Sequence, residues 1–110
     1  MTSLDSLARA RTETIAQIAA LTRQFDEIVA ASQQSNADDE HDPEGATIAF
    51  ERQQVAALLE QARRRLADVD AAVAAVEGGT YGRCETCGAP IAPERLAARP
   101  TARTCIACAS

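Results

Sequence analysis

Apolar residues recur at alternating steps of three and four over two long stretches, the pattern of a helix that buries one narrow stripe against a partner. The first stripe reads Leu4, Leu7, Arg11, Thr14, Ile18, Leu21, Phe25, Ile28 and Ser32, with Ala8, Ile15 and Val29 widening it. Ser3 is placed to cap its start, and Asp5 lies in the first turn, where a carboxylate complements the helix dipole. The second reads Ile48, Arg52, Val55, Leu59, Ala62, Leu66, Val69, Val73 and Val76, and ends at Gly78 and Gly79, residues that terminate a helix through a left-handed position.

Antiparallel pairing sets Leu4 against Val76, Leu7 against Val73, Thr14 against Leu66, Ile18 against Ala62, Leu21 against Leu59 and Phe25 against Val55, so the two numbers of every pair total 80. A hairpin folding about position 40 therefore matches seam with seam, and position 40 falls inside the polar run Asn36 to Pro43. Register and turn agree independently. At ~1.5 Å rise per residue, two such stripes predict a rod on the order of 45 Å long, with Arg11, Thr14 and Arg52 as its weak layers; the alternative is a pair of helices that joins a larger bundle or dimerises.

Composition favours thin packing. Among 110 residues there are 25 alanines but only 3 aromatics, too little bulk for a broad core and enough for seams where backbones approach closely. Eleven arginines and no lysine face sixteen carboxylates, a net charge of −5 and the wrong sign for sequence-independent attraction to DNA or RNA. No apolar run approaches the ~20 residues of a membrane span, and no basic-then-apolar leader opens the chain, so the expectation is a cytoplasmic protein without membrane attachment.

Asp38, Asp39, Glu40, Asp42 and Glu44 place five carboxylates within seven residues at the turn, with His41 among them. Such a cluster at the end of a rod concentrates negative potential. A structural reading stands beside it: Asp42 before Pro43 is an N-cap followed by proline at the first helical position, and His41 is then a solvated loop residue.

Cys84 and Cys87 are separated by two residues, seventeen residues follow, and Cys105 and Cys108 repeat the spacing. This is the arrangement of a four-thiolate zinc site, in which each tight turn presents two sulfurs to a tetrahedral ion. Four sulfurs close the coordination sphere, so one structural Zn2+ is expected rather than a catalytic one. Iron in a rubredoxin-like site and a redox dithiol are the alternatives left open by spacing. Tyr81, Ile91, Leu96 and Ile106 are the candidates for a small apolar cap over the two turns.

The string from Tyr81 to Cys108, Y-G-R-C-E-T-C-G-A-P-I-A-P-E-R-L-A-A-R-P-T-A-R-T-C-I-A-C, resembles the zinc-finger signature of the DksA/TraR family of bacterial transcription regulators. Beyond the cysteines the likeness includes Gly82, Gly88, Ile91, Arg95, Leu96, Arg99, Pro100, Thr101 and Ala102, and a preceding coiled-coil hairpin with an acidic tip is also the family's layout. The resemblance implies binding to RNA polymerase, with the coiled coil inserted through the secondary channel so that the tip approaches the catalytic centre. Asp42 and Pro43 match the family's tip, whereas Gly45 stands for its second Asp and Thr47 for its Ala. The resemblance also implies a site for guanosine tetraphosphate at the polymerase interface, with Arg95 and Arg99 at the matching finger positions. Asp68 stands where a helical lysine is expected, and the competing reading pairs both arginines with Glu94, Glu77 or finger carbonyls. Only two residues follow Cys108, so the C-terminal helix common in the family is expected to be absent.

The sequence thus predicts a mainly α fold, an antiparallel two-helix coiled-coil hairpin over residues 1–77 with a tip at about 36–45, followed by a four-cysteine zinc finger over 78–110. The predicted function is regulation of transcription initiation by polymerase binding; the alternative is a zinc-stabilised adaptor for a different protein partner. An enzyme is not expected: one histidine, no Ser–His–acid set and no phosphate-cradling glycine loop leave catalysis without parts.

Overall fold

The computed structural model describes residues 3–35 and 43–109, with backbone alone at 34–35 and 43–45. The architecture is mainly α, a two-helix hairpin followed by a small finger. Helix α1 spans Ser3–Ser35, α2 spans Pro43–Gly78, and α3 is the short Pro93–Ala98. The described residues contain no strand beyond an isolated antiparallel bridge between Arg83 and Pro90. None of their helices is long and apolar enough to cross a membrane. Asp38, Asp39, Glu40, His41 and Asp42 lie outside the described residues; Glu44 lies in α2 with only its backbone described.

Contacts divide the chain into two units, one comprising Thr14–Arg65 and the other Met1–Glu13 with Leu66–Ser110. In the first, Leu21, Val55, Leu59 and Ala62 form a buried cluster against which Ile18, Phe25 and Ile28 pack. Three successive layers of the 80-sum register, Ile18–Ala62, Leu21–Leu59 and Phe25–Val55, are all members of this one cluster. Each leucine or valine so buried stabilises by ~1.5–3 kcal/mol relative to exposure.

The buried stripe is narrower than the sequence suggests. Ile15 and Ala8 are left exposed because one partner helix covers only one seam and the flanking positions stay in water, and Leu4, a seam position expected opposite Val76, is exposed as well. Thr14 is buried, and among the described residues no buried side-chain nitrogen or oxygen lacks a hydrogen-bond partner.

In the second unit Leu7 and Val69 are fully buried, with Ala72 beside them in α2. Arg11 leaves the seam: its Nε donates to Asp70 Oδ1 at 2.8 Å, which puts residues 11 and 70 opposite one another, within one residue of the expected register. A guanidinium cannot be left unpaired in an apolar layer, and a carboxylate on the facing helix draws it to the edge. Helix α2 then stops as its sequence indicates. Gly79 takes φ +79°, the amide of Thr80 donates to Ala75 O at 2.9 Å, and that of Gly79 donates to Val76 O at 3.2 Å. This pair of bonds is a Schellman cap, and it redirects the chain toward the cysteines.

Candidate metal centre

The first cysteine turn is built on backbone bonds. Ile91 N donates to Gly82 O at 2.7 Å, Cys84 N to Ala89 O at 2.8 Å, and Gly88 N back to Cys84 O at 2.8 Å. Gly88 has φ +76°, a conformation that costs an L-residue ~1–2 kcal/mol, while open space surrounds the position of a Cβ. Its glycine is needed for backbone shape, not for room. The second turn repeats the plan, with Cys108 N and Ala109 N donating to Cys105 O at 3.1 and 3.0 Å. Glu85 N donates to Arg103 O at 2.9 Å and ties the two turns together.

These bonds bring Cys84, Cys87, Cys105 and Cys108 to one point, their four sulfurs all within 4.8 Å of one another. The Cys87 and Cys105 sulfurs are 3.7 Å apart. A tetrahedral ion with metal–sulfur bonds of ~2.3 Å requires sulfur–sulfur edges of about 3.8 Å, so the cage has the size for one metal ion. No fifth donor converges on it among the described residues.

The proton chemistry of the metal-free set points the same way. Backbone N–H donors at Cys105 and Cys87 pull the Cys84 thiol down from 9.0 to about 6, against an opposing effect of desolvation. Cys105 is also lowered, chiefly by the amide of Cys108. Cys108 is pushed up to about 12 because it shares its proton with the sulfurs of Cys105, Cys87 and Cys84. Four thiols this close cannot all ionise unaided; a dication in their midst removes the conflict.

The surroundings hold the cage from several sides. Ile91 is buried, and Tyr81 Oη donates to Pro100 O at 2.8 Å. Arg95 reaches from α3 to donate its Nε to Thr104 O at 3.0 Å, one residue before the third cysteine. Arg103 Nη2 pairs with Asp68 Oδ1 of α2 at 2.9 Å, with both side chains about half exposed. The carbonyl reading of Arg95 is therefore realised for its Nε, whereas Arg99 is exposed and lies with Arg95 along an apolar-floored groove of about 480 Å³. Ile106 corrects an expectation: it is 82% exposed and packs no cap. Residues between the two ligands of a Cys-x-x-Cys turn point away from the ion because the sulfurs take the inward side. The Arg103–Asp68 pair was not foreseen in the sequence, since it joins residues 35 apart.

Comparison with known proteins agrees with this geometry. Residues 79–110 match the family profile described as the prokaryotic dksA/traR C4-type zinc finger. The uncharacterized protein YlyA of Bacillus subtilis is 45% identical over 56 residues, covering 51% of this chain and 45% of that protein. The RNA polymerase-binding transcription factor DksA of Caulobacter vibrioides is 50% identical over 40 residues, 36% of this chain and 28% of that protein. The chain thus spans less than half the length of these curated relatives. Among solved structures, transcription factor DksA2 from Pseudomonas aeruginosa superposes with a TM-score of 0.78 at 30% identity, covering 94% of this chain and 74% of that one. The metal that this cysteine set holds is accordingly zinc, one structural ion. With a shared finger and a likeness that extends across both long helices, this chain belongs to the DksA/TraR zinc-finger family.

Proposed function

We propose that this protein is an RNA polymerase-binding transcription regulator that acts by inserting its hairpin into the secondary channel of the enzyme. The observation that carries the reading is the pairing, in one chain, of a four-sulfur finger with a seam-packed two-helix hairpin, the arrangement of DksA2 over 94% of this chain. A Caulobacter relative bears the name of an RNA polymerase-binding transcription factor. Functionally the chain divides into the hairpin, residues 1–77, and the finger, residues 78–110.

In this mechanism the protein makes and breaks no covalent bond. Bound zinc supplies a rigid closed knot and no Lewis-acid site, because all four positions around it are sulfur. The hairpin supplies reach. Asp38, Asp39, Glu40, Asp42 and Glu44 supply negative charge that acts on a catalytic centre rich in divalent cations and nucleotide phosphates, by attraction to the first and repulsion of the second. Gly45 at the place of the family's second Asp makes the neighbouring acids the bearers of that charge. A polymerase partner implies cytoplasmic residence.

Arg99, exposed beside the finger groove, is the available cation for a guanosine tetraphosphate shared with polymerase, and Arg95 contributes the nitrogens not used on Thr104. The Asp68 carboxylate on α2 opposes such a ligand. The functional reading is tested by transcription in vitro with purified polymerase, with and without the alarmone. The intact chain is expected to change initiation at sensitive promoters, and a chain with the five tip acids changed to Asn or Gln is expected to lose that effect while still binding. Equal effects from both chains remove the tip from the mechanism.

A further inference from the structure

The last turns of α2 meet the finger through small side chains. Ala72, outside the stripe of Val69, Val73 and Val76, is buried, and with Ala71 and Ala75 it lines a cleft of about 140 Å³ whose other wall includes Thr101, Ala102 and Arg103. Methyl groups give contact there without interlocking, so packing alone does not fix how the finger sits along this stretch of helix. Backbone bonds hold the start of the finger, where Thr80 N and Tyr81 N both donate to Ala75 O at 2.9 and 3.1 Å.

Arg103 makes the link at the far end. Its Nη2 donates to Asp68 Oδ1 of α2 at 2.9 Å, while its own carbonyl accepts from Glu85 N at 2.9 Å. Glu85 directly follows the first ligand, Cys84, and Arg103 stands two residues before the third, Cys105. One residue therefore connects α2, the first cysteine turn and the run into the second. Thr104 is held from another side, since its carbonyl accepts from Arg95 Nε of α3 at 3.0 Å.

A half-exposed ion pair ordinarily contributes little, because two mobile side chains must be ordered to form it. Here part of that ordering is already done: Asp68 sits on a helix, and the Arg103 backbone is tied to Glu85. A closed tetrahedral site also needs its four sulfurs on a common centre, so a drift of residues 103 and 104 carries Cys105 away from it.

We propose that Asp68 is a positioning residue for the metal centre, acting through Arg103 to hold Cys105 and Cys108 in place against Cys84 and Cys87. Retention of zinc thereby depends on a carboxylate of the long helix, and whatever draws Asp68 away from Arg103 loosens the site. The proposal stands whether or not the partner is polymerase. Asp70 supplies a comparison on the same helix: it is also half exposed and ion-paired, at 2.8 Å, but to Arg11 of α1 and not to the finger.

The test is the rate at which the full-length, zinc-loaded chain gives up its metal to excess chromophoric chelator, read for wild type, D68N, D70N, D68R and the swapped double variant D68R/R103D. D68N is expected to release zinc about two- to fivefold faster, the span of a half-exposed ion pair. D68R, which sets two like charges together, is expected to release it about tenfold faster, and the swapped variant to return within about twofold of wild type. D70N is expected to match wild type. High salt is expected to bring wild type to the D68N rate and to leave D68N where it is. Equal release from D68N and wild type overturns the proposal. So does equal acceleration by D70N, which makes the effect one of helix stability, and so does a swapped variant no slower than D68R, which makes the two residues matter separately.

Discussion

Residues 14–65 bury Leu21, Val55, Leu59 and Ala62 in a continuous seam, whereas residues 79–109 bury little beyond Cys84 and Ile91. Both regions are short of bulky side chains, and they make up the deficit by different physics. The hairpin repeats a small apolar layer many times along two helices, so its stability is spread over the seam. The finger concentrates stability at one point, where four sulfurs and a metal replace a core too small to fold unaided. The first is therefore sensitive to volume and the second to metal and protons.

Metal removal is expected to have the largest effect, and it falls on the finger. Stripping the metal with a strong chelator, or changing Cys84 to Ser, removes a binding free energy of ~10–16 kcal/mol in comparable peptides. Amide protection across 79–109 is expected to vanish while protection at Leu21 and Leu59 persists, as measured by hydrogen exchange. Simultaneous loss in both regions means that the metal holds the seam as well.

The converse experiment truncates the seam. Leu59→Ala is expected to destabilise the 14–65 unit by ~2–5 kcal/mol through lost burial and a residual cavity, lowering the thermal midpoint, with zinc affinity unchanged. A parallel loss of zinc affinity contradicts the division of labour.

Acidification sharpens the contrast next. Metal capture requires thiolates, so binding expels whatever protons the cysteines still hold, and affinity must rise with pH. Cys108, pushed up to about 12, is protonated in the metal-free protein throughout the neutral range, which gives at least about tenfold in zinc affinity per pH unit. Below about 6, Cys84 also takes up its proton, and the slope steepens. Competition with a chromophoric chelator between pH 5.5 and 8 measures both regimes. A flat profile contradicts the four-thiolate assignment.

The smallest effect is electrostatic. Arg11 and Asp70 are each about half exposed, so their ion pair is screened, and Asp70→Asn is expected to cost no more than ~1 kcal/mol. The loss should shrink at high salt. Melting at two ionic strengths checks it.

Much of this fold is readable in the order of residues because its forces are periodic or stoichiometric. The three-four spacing of Ile18, Leu21, Phe25 and of Val55, Leu59, Ala62 requires facing stripes, and the constant sum of paired positions fixes their register. Two Cys-x-x-Cys turns likewise name their own ligands. What escapes is set by geometry that no local pattern encodes. The sequence offers Arg95 a finger carbonyl among its partners but not which one, since every residue possesses that acceptor, and Arg103 meets Asp68 only after the Gly79 cap has turned the chain. Ile106 looks apolar enough for a cap, yet its place between two ligands turns it outward. The tip acids Asp38 to Asp42 are read from sequence and resemblance alone.

We propose that the hairpin end enters the polymerase pore. Site-specific photo-crosslinking tests it most directly, with a benzophenone placed at Ala46 in one zinc-loaded chain and at Ala109 in another, each mixed with RNA polymerase core. Crosslinks from Ala46 to residues lining the inner nucleotide-entry pore, and from Ala109 only to its outer rim, are the predicted result. Crosslinks from Ala46 to the outer surface alone, or none from either position, contradict it.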